Sequence, residues 1–103
     1  MSEWRLPTIN ELQNIFDYEK GEPKIDKFTT YDYWSSTTSA NNSCNAWIID
    51  FTDGYTYSSK KIYERHVHCV RETENGTLEW SKSSEYKMTW EKACEYCERI
   101  THE

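Results

Sequence analysis

The sequence predicts one small α+β domain, and three observations support this. The chain has 103 residues, enough for a single hydrophobic core and too few for two. Aromatic residues make up 16% of it, whereas disordered chains are poor in them. Apolar residues at helical spacing occur near each end, and alternating, aromatic-rich stretches lie between them.

A first helix is predicted over residues 9–18. Thr8 and Glu11 form a capping-box pattern, in which each side chain satisfies a free main-chain amide of the first turn. Apolar residues follow at spacings of three and four, namely Ile9, Leu12, Ile15 and Phe16. Gly21 and Pro23 are expected to end the helix.

Five strands are predicted over residues 33–38, 46–51, 55–59, 65–71 and 77–81. Asp53-Gly54 is a strong hairpin signal between the second and third strands, and Asn75-Gly76 is another before the fifth. The strands are therefore expected to pair antiparallel.

The last element is a helix over residues 90–100, with Thr89 as its N-cap and Glu91 in its first turn. One face of this helix carries Trp90, Ala93, Cys94, Cys97 and Ile100. That face is expected to pack on the sheet.

The charge of the chain disfavours some partners. Its formal net charge is −6, which opposes binding to nucleic acid and docking on anionic membranes. No stretch approaches the ~18 apolar residues of a membrane-spanning helix, so no membrane insertion is expected. The first residues do not resemble a signal peptide.

The residues alone leave the state of the four cysteines open. Four cysteines allow three disulfide connectivities, and their density in a small domain favours an oxidising compartment. A metal site would need Cys94 and Cys97 together with His66, His68 or Cys69, and no second close cysteine pair supports it. The two histidines share a strand face, which we expect to be the solvent side.

Several blocks occur in order along residues 4–71, namely Trp4-Arg5-Leu6-Pro7-Thr8, Glu11-Leu12, Tyr33-Trp34-Ser35-Ser36-Thr37, Ala46-Trp47 through Asp50-Phe51, Asp53-Gly54 and Cys69-Val70-Arg71. Together they resemble the Lcl C-terminal domain family, first noted at the end of a bacterial collagen-like adhesin. The resemblance implies a C-type-lectin-like fold, with two helices packed on a twisted antiparallel sheet.

The order of the blocks departs from the family. Segments similar to residues 77–81 and 88–97 come first in the family and last here. The chain therefore resembles a circular permutation of one domain over residues 1–103, in which residues 4–71 supply the second helix and main sheet and residues 77–103 the first strand and helix. The alternative is a domain-swapped homodimer, in which the last segment docks on another copy.

The resemblance also implies a disulfide between Cys69 on the last family strand and Cys97 on the helix. Cys44 and Cys94 lie outside the family pattern and are expected either to form a second pair or to remain thiols. For Arg5, we expect an ion pair with Glu11.

The resemblance implies a non-catalytic recognition or adhesion module of a bacterial or phage surface or exported protein. Such a module would be extracellular, on the cell surface or periplasmic, either monomeric or a swapped homodimer. It would bind a glycan or protein ligand through loops 19–32, 38–45 and 54–63. The candidate binding residues are Trp34, Trp47, Tyr55, Tyr57 and Asp53.

We expect no cofactor and no metal. The Glu-Pro-Asn, Gln-Pro-Asp and Trp-Asn-Asp triplets of calcium-dependent lectins do not occur in the sequence, and Asp50 and Asp53 are explained by the hairpin turn. Two alternatives remain open. One is a small metal- or copper-thiol oxidase related to formylglycine-generating enzymes, and the other is a self-associating structural repeat.

Overall fold

The structure is a computed structural model that describes residues 3–25 and 28–100. Within them the elements are, in chain order, α1 (Ile9–Asn14), β1 (Phe16–Asp17), β2 (Glu22–Pro23), β3 (Asp32–Thr38), β4 (Asn45–Asp50), β5 (Thr56–Lys60), β6 (Val70–Glu72), β7 (Leu78–Trp80) and α2 (Trp90–Arg99). The predicted α+β class is confirmed. The strands form three small antiparallel sheets, β1-β2, β3-β4-β5 and β6-β7, where the prediction had one.

The three-stranded sheet lies at the centre because both of its faces are covered. Neighbouring residues on a strand point to opposite faces, and Trp34 pairs with Ile48 while Tyr33 pairs with Ile49. The Trp34 face packs against α2 and belongs to a core that contains Leu6, Ala46, Ile48, Val67, Cys69, Ala93 and Cys97. The Tyr33 face belongs to a second core with Leu12, Phe16, Phe28, Ile49, Phe51, Val70 and Trp80.

Helix α1 is shorter than predicted. The Thr8–Glu11 capping box is formed, but the helix ends at Asn14 and Phe16–Asp17 pairs with Glu22–Pro23 as a short hairpin. The prediction that residues 15–18 continue the helix was wrong, because the ring of Phe16 stacks on that of Phe51, 5.9 Å away. This burial outweighs the helical spacing of the local sequence.

The predicted strand over residues 65–71 is only partly a strand. Its end forms β6, whereas its first part runs beside β3, where the amide of Trp34 donates to the carbonyl of His66 and that of His66 to Asp32. The expectation that both histidines face solvent was wrong for His68. Its side chain is fully buried and its ring lies 3.8 Å from that of Phe28.

The C-terminal segment docks on the core of its own chain. The Asn75-Gly76 turn is formed, with Gly76 at a φ of 84°, and β7 pairs antiparallel with β6. Thr89 caps α2 as predicted. Its buried face includes the predicted Ala93 and Cys97.

A disulfide ties α2 to the segment that precedes β6. Cys69 and Cys97 are bonded, with their Cα atoms 5.6 Å apart, and both side chains are fully buried. The pairing implied by the resemblance is therefore present, and it links the two parts of the chain.

Candidate ligand-binding surface

One end of the α2 face of the central sheet is not covered by the helix and carries carboxylates and tyrosines. Asp32 pairs with Asp50 across β3 and β4, two residues before the buried Trp34–Ile48 pair. Tyr57 pairs with Ile48 on the third strand. Tyr55 extends this ladder, because the amide of Asp50 donates to its carbonyl, and it lies on the same face as Tyr57.

Arg65 crosses this face of the sheet. Its guanidinium donates to Oδ2 of Asp32 at 3.2 Å and to Oγ of Ser59 at 3.1 Å. Asp32 lies on β3 and Ser59 on β5, so the guanidinium must span the strand between them. The guanidinium carbon also lies 5.9 Å from the centre of the Tyr63 ring.

A cavity of about 270 Å³ opens beside this arginine, lined by Tyr31, Asp32, Glu64, Arg65, His66 and Lys87. The imidazole of His66 stacks on the ring of Tyr31, with centroids 3.9 Å apart and an interplanar angle of 14°. The stack presents a flat aromatic wall to the cavity, and charged groups of both signs line the rest.

The electrostatics of the surface follow from partial burial and crowded charges. Burial and the neighbouring Asp50 raise the pKa of Asp32, against the opposing effect of Arg65. Burial and Lys87 lower the pKa of His66, so the neutral imidazole is favoured near neutral pH. For Tyr57, desolvation and then the carboxylates of Asp53 and Asp50 raise the phenol pKa. These side chains therefore lie within electrostatic reach of one another.

A family model described as the Lcl C-terminal domain matches residues 1–71. The chain belongs to the Lcl C-terminal domain family. No curated protein matches the chain, and no solved structure does. Family membership points to a domain of a surface or adhesin-like protein, and the disulfide is consistent with an extracellular location.

This Lcl C-terminal domain brings three of the five predicted binding residues together. Tyr55 is 63% exposed and Tyr57 45% exposed. Asp53 is exposed at the tip of the same hairpin, where its Oδ1 accepts a hydrogen bond from the amide of Tyr55. Asp50 likewise accepts from the amide and hydroxyl of Thr52. The two carboxylates thus stabilise the turn and also give this surface negative charge.

The two tryptophans are not part of this surface. The prediction that Trp34 binds a ligand was wrong, whereas a binding role for Trp47 stays a prediction. Trp34 is fully buried, and its indole nitrogen donates to the carbonyl of Met88, so no ligand can stack on it. Trp47 is half-buried and next to Ile48 on β4. It therefore points to the opposite face of the sheet.

Two of the three predicted loops reach the surface. Loop 19–32 supplies Tyr31 and Asp32, although its positions 26 and 27 lie outside the described residues, and loop 54–63 supplies the tyrosines. Loop 38–45 follows the end of β3 and precedes β4. It therefore lies at the opposite end of these strands from the Asp32–Asp50 pair, and its part in binding stays a prediction.

Sequence reasoning did not single out Tyr31, Asp32 and Tyr63 within the predicted loops, and it missed Arg65 and His66 as members of the same surface. They belong to separate segments whose sequences carry no shared motif. The one available signal was the Tyr-x-Tyr pattern near the predicted hairpin, which marks an exposed strand face. His66 is brought there by its bridge with Tyr33 on β3, and Arg65 comes immediately before it in the chain.

The remaining two cysteines are free. Cys44 is exposed and Cys94 is half-buried, so the predicted second pair is not formed. Burial and the nearby Glu98 raise the pKa of the Cys94 thiol. Across residues 3–25 and 28–100, no three His, Cys, Asp or Glu side chains are grouped so as to hold a metal ion. In the same residues, every helix is too short or too polar to cross a membrane.

Proposed function

We propose that this domain is a non-catalytic recognition module that binds a glycan at the open end of its central sheet. The observation that carries this proposal is the cluster of exposed tyrosine rings beside carboxylates and one guanidinium. Tyr55 and Tyr57 offer ring faces, and Asp32 and Arg65 offer hydrogen-bonding groups on the neighbouring strands and segment.

The chemistry of a sugar fits this arrangement. The C–H faces of a pyranose pack on aromatic rings, and its hydroxyls donate to carboxylates and accept from a guanidinium. The three carboxylates of the surface, on Asp32, Asp50 and Asp53, favour a neutral glycan over an anionic one. Because these groups stand on a paired sheet, little ordering entropy is lost on binding.

The disposition of the strands supports a C-type-lectin-like fold in permuted order, within one domain over residues 1–103. The adjacent antiparallel strands β6 and β7 correspond to the last and first strands of the family order, and a short turn joins them here. We propose that this join replaces the usual chain ends. Residues 78–100 then complete the body that residues 4–71 begin.

The oxidase alternative receives less support. Cys97 is bonded to Cys69 and is therefore not available as a thiol ligand. The raised pKa of Cys94 disfavours the thiolate that binds metal or reacts. A role without catalysis, in an exported or surface-attached protein, agrees better with a buried structural disulfide.

A glycan array tests the proposal with fluorescently labelled protein kept under oxidising conditions. Wild type is expected to bind a restricted set of neutral glycans, and Tyr57→Ala is expected to lose at least tenfold in affinity because a stacking ring is removed. Tyr96→Ala is the matched control, since Tyr96 is an exposed tyrosine on α2 that does not line the cavity beside Arg65. The proposal is wrong if wild type binds no glycan, or if both variants bind as wild type does.

A further inference from the structure

The outer edge of β5 carries main-chain groups without partners. The amide of Asp50 donates to the carbonyl of Tyr55, and that of Lys61 donates to the carbonyl of Cys44. Since such pairs alternate along an antiparallel ladder, the main-chain groups of residues 57 and 59 point to β4. Those of Thr56, Ser58 and Lys60 point outward.

These outward groups are almost all unpaired within residues 3–25 and 28–100. The carbonyl of Lys60 accepts from the amide of Tyr63, and the N–H and C=O of Thr56 and Ser58 meet no main-chain or side-chain partner. The opposite edge of the sheet differs, because β3 is covered by His66 and by Pro7, whose carbonyl accepts from the amide of Ser36. The sheet thus has one open edge.

The segment around this edge also exposes much apolar surface. Of the large hydrophobic side chains that are exposed in the described residues, four lie within nine consecutive positions, namely Tyr55, Tyr57, Ile62 and Tyr63. An open strand edge flanked by exposed rings is a site at which another strand adds.

Charge identifies the occupant as a second copy of this chain. Asp53 lies at the start of the hairpin arm and Lys60 at the end of β5, whereas Lys61 is turned away from this edge, because it donates to Thr38 and lies over the ring of Trp90. An antiparallel pair of two such arms brings the acidic end of each copy beside the basic end of the other, twice over. An arm with this polarity is self-complementary.

We infer that two copies of the domain associate through antiparallel pairing of β5 with β5, which joins their sheets into one of six strands. Ser58 of one copy lies opposite Ser58 of the other, and Thr56 lies opposite Lys60. In this register the outward N–H and C=O groups of both strands face each other. No two like charges are directly opposed along the strand.

The pairing has a consequence for the ligand surface. A two-fold axis through the Ser58 pair is perpendicular to the sheet, so Tyr57 of both copies lies on the same side of the six-stranded sheet. The dimer is therefore bivalent toward a surface that displays many ligands. The dimer itself does not depend on the proposed glycan binding, since it uses main-chain edges.

Sedimentation equilibrium measured over 10 µM to 1 mM tests the inference. Wild type is expected to approach twice the 12.4 kDa of the chain. Ser58→Pro is expected to stay monomeric, because proline removes an amide that points away from β4 and is tolerated at a strand edge. Ser58→Ala is the matched control and is expected to associate as wild type does.

A second variant guards against misfolding of the proline variant. Thr56→Lys keeps every main-chain group but places a lysine opposite Lys60 of the other copy, so it is expected to weaken association at least tenfold. Amide hydrogen exchange of the wild type is expected to slow at Thr56 and Ser58 as concentration rises. A wild-type monomer at 1 mM, association unchanged in both Ser58→Pro and Thr56→Lys, or a dimer without this protection would overturn the inference.

Discussion

Removal of the Cys69–Cys97 disulfide is the perturbation whose effect can be calculated most directly. The bond closes a loop with a sequence separation of 28. The chain-entropy relation then gives about 12 cal/mol/K for the unfolded chain, or about 3.6 kcal/mol at 25 °C. Both sulfurs are fully buried between α2 and the sheet, so replacing them with alanine adds a small cavity cost.

The double variant Cys69→Ala/Cys97→Ala is therefore expected to lose about 3–5 kcal/mol of unfolding free energy. Chemical denaturation measures this loss, and scanning calorimetry should show the melting temperature falling by on the order of 15 °C or more. Cys44→Ala is the control, since it removes an exposed thiol and should change stability by less than about 0.5 kcal/mol. A double variant within about 1 kcal/mol of wild type would show that the bond contributes little to the stability of the fold.

The remaining predictions concern two glycine turns and an ion pair. Gly54→Ala should destabilise by about 2–4 kcal/mol, because the glycine has a φ of 80° and a Cβ there would lie 2.5 Å from the ring of Phe16. Gly76→Ala, at a φ of 84° with open space around it, should cost about 1 kcal/mol, and equal losses for the two in urea unfolding would contradict this. The guanidinium of Arg5, 2.8 Å from Glu11, holds the pKa of Glu11 below its ordinary value, against the effect of burial. The ionised Glu11 thus stabilises the fold at pH values above its ordinary pKa of 4.5. The difference in unfolding free energy between wild type and Glu11→Gln should therefore shrink as the pH falls below 4.5. A difference that is constant or grows toward pH 2 would argue against the ion pair.

Local chemistry made several elements of the fold predictable. The capping box of Thr8, the N-cap of Thr89 and the glycine turns at 54 and 76 depend on residues a few positions apart, and all are present. The Arg5–Glu11 ion pair, six positions apart in sequence, is also formed as expected. Such features follow from sequence because nothing distant is needed to form them.

Features that depend on tertiary packing were not predictable in this way. Phe16 lies in a strand and not in the helix because its ring stacks on that of Phe51. His68 is buried because its ring stacks on that of Phe28. The candidate surface is a similar case. Its members come from residues 31–32, 53–57 and 63–66, and only the register of β3 with the segments beside it assembles them.

Trp34 illustrates why composition could not separate core from surface. An aromatic residue in a strand packs equally well in a core or on a ligand platform, and the two uses differ only in which face of the sheet the rest of the chain covers. Here Val67 and Ala93 share the core cluster of Trp34. Tyr57 lies in the same row across the sheet, because it pairs with Ile48, which pairs with Trp34, yet it remains exposed at the sheet edge.

The open end of the central sheet is the surface that we propose for recognition. An NMR titration of ¹⁵N-labelled protein with the strongest neutral glycan from the array tests it directly. Saturable shifts are expected at the amides of Tyr31, Tyr57 and Arg65, with small shifts along α2. Shifts confined to loop 38–45 or to α2, or none at a glycan concentration that saturates the array signal, would contradict it.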